Sequence, residues 1–188
     1  MKNILLLILV CVGVVSCDGR KSHSESLQKA VEEFRDSVGP IEIIKYIPED
    51  YAENVTDTIL SNGFRVKIKT YTDMEHSYLN EFKTDTVTNK HYYRNYIADI
   101  VVLKDEKKVL VVTIDNDFIM KNDPSLDVSF KNEMTMHGIW IDQSKSDNHN
   151  NVVLDFSFCQ PETDFCYDYQ MIIEANGNYQ IKEIEEHY

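Results

Sequence analysis

Glycine and proline are scarce, with six of one and four of the other in 188 residues. That shortage excludes a collagen-like chain. With 43% hydrophobic residues it also argues for a packed core rather than low-complexity disorder. Positive charge is short as well. Nineteen Lys and Arg stand against 32 Asp and Glu, a formal −13, which disfavours nucleic acid as a partner because the phosphates would be repelled, and none is expected. The apolar run Ile4–Val15 holds only twelve residues, whereas a transmembrane helix needs about 20.

Spacings that carry chemistry are missing too. The six histidines form no HxxxH or HExxH, and there is no GxSxG, no phosphate-cradling glycine loop and no dinucleotide fingerprint. Asp115-Asn116-Asp117 opens like a calcium loop, but Ile119 occupies the next ligand position and no glycine follows. No catalytic residue, metal ligand or cofactor is therefore assigned. His91 and His137 border predicted strands, where a hydrogen-bonded structural role is the simpler reading.

The amino terminus is the most informative stretch. Met1-Lys2-Asn3 is a short basic n-region, and Ile4–Val15 is a signal-peptide h-region. It closes on Val14-Val15-Ser16-Cys17, which resembles the lipobox of bacterial lipoproteins. In that family the cysteine sulfur is diacylated and the peptide is cut before it. The resemblance implies a signal peptide over 1–16 and a lipidated tether over 17–21, and the rest, 22–188, reads as a single β-rich domain. Cleavage leaves 172 residues with 18 basic and 32 acidic groups, or −14. The lipid on Cys17, not charge, would then hold the protein on the membrane. The expected address is the bacterial cell envelope. The outer membrane facing the periplasm is favoured, because the acidic cluster typical of surface export is missing after the cysteine; the cell surface and the inner membrane are the alternatives.

Two cysteines remain. Cys159 and Cys166 lie in a compartment where disulfides persist, with six residues between them rather than the two of a redox motif. Pairing them across two antiparallel strands places Phe158 opposite Tyr167, Phe156 opposite Tyr169, Leu154 opposite Met171 and Val152 opposite Ile173, one continuous apolar face. A one-residue slip would destroy that face. A disulfide at a non-hydrogen-bonded pair is expected.

Elsewhere the chain reads as hairpins. Ser22 and Glu25 fit a capping box ahead of a helix whose face is Leu27, Ala30, Val31, Phe34 and Val38, stopped by Gly39-Pro40, and this helix is expected to lie against a sheet. Ile41–Ile47 is a short strand ended by Pro48. A three-residue loop, Ser61-Asn62-Gly63, pairs Leu60 with Phe64, Thr58 with Val66 and Asp57 with Lys67. Ala175-Asn176-Gly177 repeats it, pairing Ile173 with Tyr179 and Met171 with Ile181. Tyr92–Leu103 and Val109–Ile114 flank Lys104–Lys107 and are apolar on both faces, so both strands are expected at the middle of the sheet system. Leu126, Val128 and Phe130 alternate like a strand, and 143–151 reads as an exposed polar loop.

The fold class is therefore mainly β, an antiparallel sheet or two-layer sandwich of hairpins with one amino-terminal amphipathic helix. His91–Tyr96 is the densest aromatic-polar cluster. Alternation puts Tyr92, Arg94 and Tyr96 on one face, a candidate surface for stacking a sugar or clasping a peptide; packing of the rings on the sheet is the plainer alternative.

Asp57–Phe64, Tyr92-Tyr93-Arg94, Val111–Ile114 with Phe118, and Pro161–Asp164 occur in that order. Together they resemble a domain of unknown function found in lipoproteins of Bacteroides and related gut bacteria, over roughly residues 40–185. The resemblance implies a secreted, lipid-anchored β domain and carries no site residue. The function expected is a non-catalytic binding module for an envelope protein or glycan. The alternatives are an enzyme acting on an envelope glycan or peptide, which needs His91 or His137 beside an acid in a cleft, and an assembly subunit, which needs an apolar patch along an open sheet edge.

Overall fold

The computed structural model describes residues 23–37, 39, 41–147 and 149–184. The expected signal peptide over 1–16, the expected lipidated tether over 17–21 with Cys17, and Ser22, Val38 and Pro40 all lie outside the described residues. Two compact units divide between Ile41 and Glu42. In the first, α1 (His23–Ser37) carries Glu25 in its first turn and Arg35 in its last, charges that complement the helix dipole. Its side chains Leu27, Val31 and Phe34 are exposed.

The second unit is mainly β. One sheet contains β1 (Ile41–Ile47), β2 (Glu53–Ile59), β3 (Phe64–Thr84), β4 (Val87–Lys104) and β5 (Lys107–Ile114), in the order β1-β4-β3-β2 with β5 also on β4. The other contains β6 (Thr135–Ile141), β7 (Asn151–Cys159), β8 (Cys166–Glu174) and β9 (Tyr179–Glu183) in simple succession. Phe64, Val66 and Ile68 of β3 and Ala98, Ile100 and Val102 of β4 share one core with Leu154, Phe156, Met171 and Ile173 of β7 and β8. Arg65 and Lys67, between the buried residues of β3, face water as alternation requires.

The expected registers hold. Cys159 faces Cys166, and the four apolar pairs from Phe158–Tyr167 to Val152–Ile173 all form. The cysteines are joined as a disulfide with Cα atoms 4.1 Å apart, the spacing of a non-hydrogen-bonded pair. Both glycine loops close as three-residue turns, with Gly63 at φ +84° and Gly177 at φ +87°. Lys104 and Lys107 instead bracket a two-residue turn in which Asp105 and Glu106 both have positive φ, the pattern that matches the twist of a tight hairpin.

Three expectations need correction. β4 is central, but among the described residues β5 is an edge strand, and Val111 is 60% exposed because it points to the wet face of the sheet, in line with Val101 and the exposed Lys67. Residues 126–130 are not a strand. Asp115 caps α2 (Asn116–Asn122) by accepting from the Phe118 N–H, and Asp127 caps α3 (Val128–Glu133) by accepting from the Ser129 N–H, so local side-chain bonds overrode the apolar alternation. The polar segment 143–151 is not wholly exposed. It starts with a short helix, α4 (Gln143–Asp147), whose Ser146 is fully buried. Asn62 holds this segment by donating to the carbonyls of Ser146, His149 and Asn151.

Candidate functional site

β4 does not keep one face throughout. β3 is irregular between Thr72 and Ser77, opposite the Arg94–Tyr96 segment, so the ladder reaches beyond the sandwich with an altered register. In this extension Tyr92 stacks on Tyr46 of β1 with ring centroids 5.0 Å apart, and the Arg94 guanidinium lies 4.9 Å from the Tyr46 ring centre. Arg94 also donates from Nη1 to the Glu49 carbonyl at 2.9 Å and to Met74 Sδ. Tyr96 departs from this arrangement and packs against the core. The three expected residues are therefore split, with Tyr92 and Arg94 joined through Tyr46 and Tyr96 turned inward.

Tyr93 is 9% exposed, and its hydroxyl donates to the Glu162 carboxylate. Glu162 belongs to the turn between β7 and β8, so this bond ties the first sheet to the second beside the disulfide. The turn is Gln160-Pro161-Glu162-Thr163, closed by Thr163 N–H to the Gln160 carbonyl at 3.2 Å. Proline second and a positive φ third is the pattern of a type II turn, in which glycine is the usual third residue. Here Glu162 takes φ +63°. A residue with a Cβ in that region costs on the order of 1–3 kcal/mol and persists where its surroundings demand it. Burial, then the Glu162 carboxylate, pushes the Tyr93 phenol up to about 12.

Between these elements lies a cleft of about 410 Å³, within the about 300–1,000 Å³ of small-molecule sites. Tyr93, Arg94 and Tyr96 line one side, and His137, Gln160 and Glu162 the other. The sequence pointed to Arg94 and Tyr96 but not to Glu162, whose partner is 69 residues away. His137 is exposed in the irregular step between Met136 and Gly138, and His91 packs edge-on against Phe82 at 5.1 Å. Among the described residues neither histidine is hydrogen-bonded to a carboxylate.

The histidine that does meet an acid is His76, with Nδ1 2.7 Å from Asp73 Oδ2. Burial raises the Asp73 carboxyl, but hydrogen bonds from the Glu75 and His76 backbone and from the His76 ring outweigh it and leave the group below its ordinary range. The pair borders a second cleft of about 440 Å³, which Glu75 also lines. Asp117 pairs with Lys131 at 2.6 Å, and Asp115 caps α2. Asn116, read in the sequence beside a calcium-like start, is buried and donates to the Met134 carbonyl. Among the described residues no group of three or more His, Cys, Asp or Glu is arranged to hold a metal ion.

No model of a known protein family matches the chain, and no curated protein matches it.

Proposed function

We propose that this chain is a lipid-anchored lipoprotein of the bacterial cell envelope, held on the outer membrane and facing the periplasm, whose β domain is a non-catalytic binding module. The lipobox-like Val14-Val15-Ser16-Cys17 supports the anchor, and the order of strand and turn patterns supports a relationship to the Bacteroides-type lipoprotein domain. The observation that carries the binding reading is Glu162, kept at positive φ in a turn suited to glycine, with its carboxylate against Tyr93 at the wall of a cleft. Backbone strain of this kind gathers where a side chain is needed at one place.

Two measurements test the parts separately. Radiolabelled palmitate should enter the wild-type chain and not the Cys17→Ser variant; labelling of both would remove the anchor. For binding, envelope-derived peptide and glycan fractions are titrated into protein carrying ¹³C-labelled tyrosine. Saturable shifts are expected for Tyr93 and Tyr96 and not for the exposed Tyr51. If no fraction shifts Tyr93, the cleft is not a binding site.

A second reading, an assembly subunit, draws support from the β1 edge, where Ile43 and Ile44 are 49% and 57% exposed. Open apolar edges invite strand addition. Sedimentation velocity should then show concentration-dependent association that Ile44→Lys abolishes; a monomer at every concentration would end this reading.

A further inference from the structure

We propose that the apolar face of α1, formed by Leu27, Ala30, Val31 and Phe34, lies on the lipid surface that holds Cys17, a surface of zwitterionic headgroups. The inference rests on the reading of the chain as a lipid-anchored lipoprotein and adds a second, non-covalent contact with the membrane.

Leu27, Val31 and Phe34 recur at offsets of four and three, which sets them on one side of the helix. They are 59%, 58% and 68% exposed. A helix of fifteen residues is marginal alone in water and takes most of its stability from burying such a face. The charges are ordered around it. Helical spacing puts Glu25, Glu32 and Asp36 on the opposite side, together with Lys29, which pairs with Glu33 at 3.6 Å. Arg35, four residues after Val31, stands at the edge of the apolar face. From there its stem can cover apolar surface while the guanidinium reaches a headgroup phosphate. Apolar residues on one side, acids on the other and a cation at the border suit a helix lying in the membrane interface.

The covalent chain selects the occupant. Five residues, 18–22, separate Cys17 from His23, and six Cα steps reach at most about 20 Å. An acylated Cys17 therefore keeps the start of α1 within that distance of the headgroups, whatever path the tether takes. Contact with lipid is then intramolecular, so a face too small to hold a free protein on a bilayer is enough to settle a tethered one. A soluble partner lacks that advantage. Charge selects the lipid. α1 carries two bases against four acids, or −2, and the chain carries −13, so anionic headgroups would repel both. Zwitterionic headgroups have no net charge and leave the apolar face and Arg35 to decide.

The test uses the full chain as isolated from bacterial membranes, reconstituted in phosphatidylcholine vesicles with or without bromine on the acyl chains. Flotation of the palmitate-labelled chain with the vesicles checks the anchor first. An indole is then added on the apolar face by Phe34→Trp or on the opposite side by Asp36→Trp, with Trp140 as the common background. Brominated lipid should quench the emission gained by Phe34→Trp about twofold or more beyond that gained by Asp36→Trp. Adding Val31→Glu should bring the first down to the second. All three positions are exposed, so the comparison does not depend on repacking a core. Equal quenching at the two positions overturns the proposal and leaves the anchor standing. Blue-shifted Phe34→Trp emission that bromine does not touch also overturns it, since protein, a second copy included, then covers the face. Replacing half of the lipid with phosphatidylglycerol should lower the Phe34→Trp quenching; quenching that does not fall overturns the zwitterionic surface. A chain that fails to float removes the anchor, and the inference with it.

Discussion

The Asn95 side-chain nitrogen donates to Asn116 Oδ1 across 2.5 Å, linking β4 to the start of α2. The bond belongs to a small buried network. Asn95 Oδ1 accepts from the Tyr96 and Met136 backbone N–H groups, and Asn116 donates onward to the Met134 carbonyl at 2.8 Å. Two asparagines thus satisfy the backbone where the helices return to the second sheet. Asn116→Ala would leave the Met134 carbonyl and the Asn95 amide unpaired, so a loss of about 2–3 kcal/mol is expected in urea unfolding. A change below about 0.5 kcal/mol would mean that water replaces the network.

Gly177 and Gly63 share a backbone conformation but not an environment. A Cβ on Gly177 would stand 2.3 Å from the Val109 carbonyl oxygen, whereas one on Gly63 would meet only the ends of the Asp105 and Lys104 side chains at 3.1 and 3.3 Å. Gly63→Ala should cost about 1 kcal/mol for its positive φ. Gly177→Ala should cost at least about 2 kcal/mol, since the Val109 backbone must also move. Equal losses in thermal unfolding would contradict the close approach.

Asp142 ties acid stability to the second sheet. Its carboxylate accepts from the Lys145 ammonium at 2.8 Å, then from the Lys145 backbone N–H and the Ser144 hydroxyl, which together hold it at about 2. The group is depressed in the folded chain, so its stabilisation is fully present above the ordinary carboxylate value near 3.8 and is lost as pH falls toward 2. The displacement corresponds to a ceiling of roughly 2 kcal/mol, reduced to about 1 by solvent around Lys145. Asp142→Asn should therefore flatten the stability profile between pH 4 and 2; an unchanged slope would place the acid sensitivity elsewhere.

The disulfide closes a short loop and should contribute about 2–3 kcal/mol. Mass spectrometry without reductant should show no free thiol on Cys159 or Cys166. The Cys159→Ser/Cys166→Ser double variant should lose that stability while keeping its strand content, because the Phe156–Tyr169 and Leu154–Met171 pairs are independent of sulfur.

Those pairs show which parts of the fold a sequence can reveal. In β7 and β8 the cysteines and the alternating large apolar residues impose the same register, and Asn-Gly steps name their own turns. β5 misleads because Val109–Val112 is apolar on both faces, so alternation cannot tell a central strand from an edge that leaves Val111 in water. The helices at 116–122 and 128–133 were hidden because their caps, Asp115 and Asp127, fall within short apolar alternations. The cleft was half legible. The His91–Tyr96 cluster stands out by composition, but nothing local to Pro161-Glu162 announces a left-handed glutamate or its distant tyrosine partner.

The turn that carries Glu162 is exposed from Glu162 to Cys166, within reach of proteases, and the two cysteines bracket it. A cut between them would open the loop without releasing either half, because the sulfur bridge would still join the fragments. Both strands would keep their ladder, and only a reducing gel would reveal the nick. The same cut would open the closed loop that holds Glu162 against Tyr93, so a domain that still looks whole would have lost the support of one wall of its cleft.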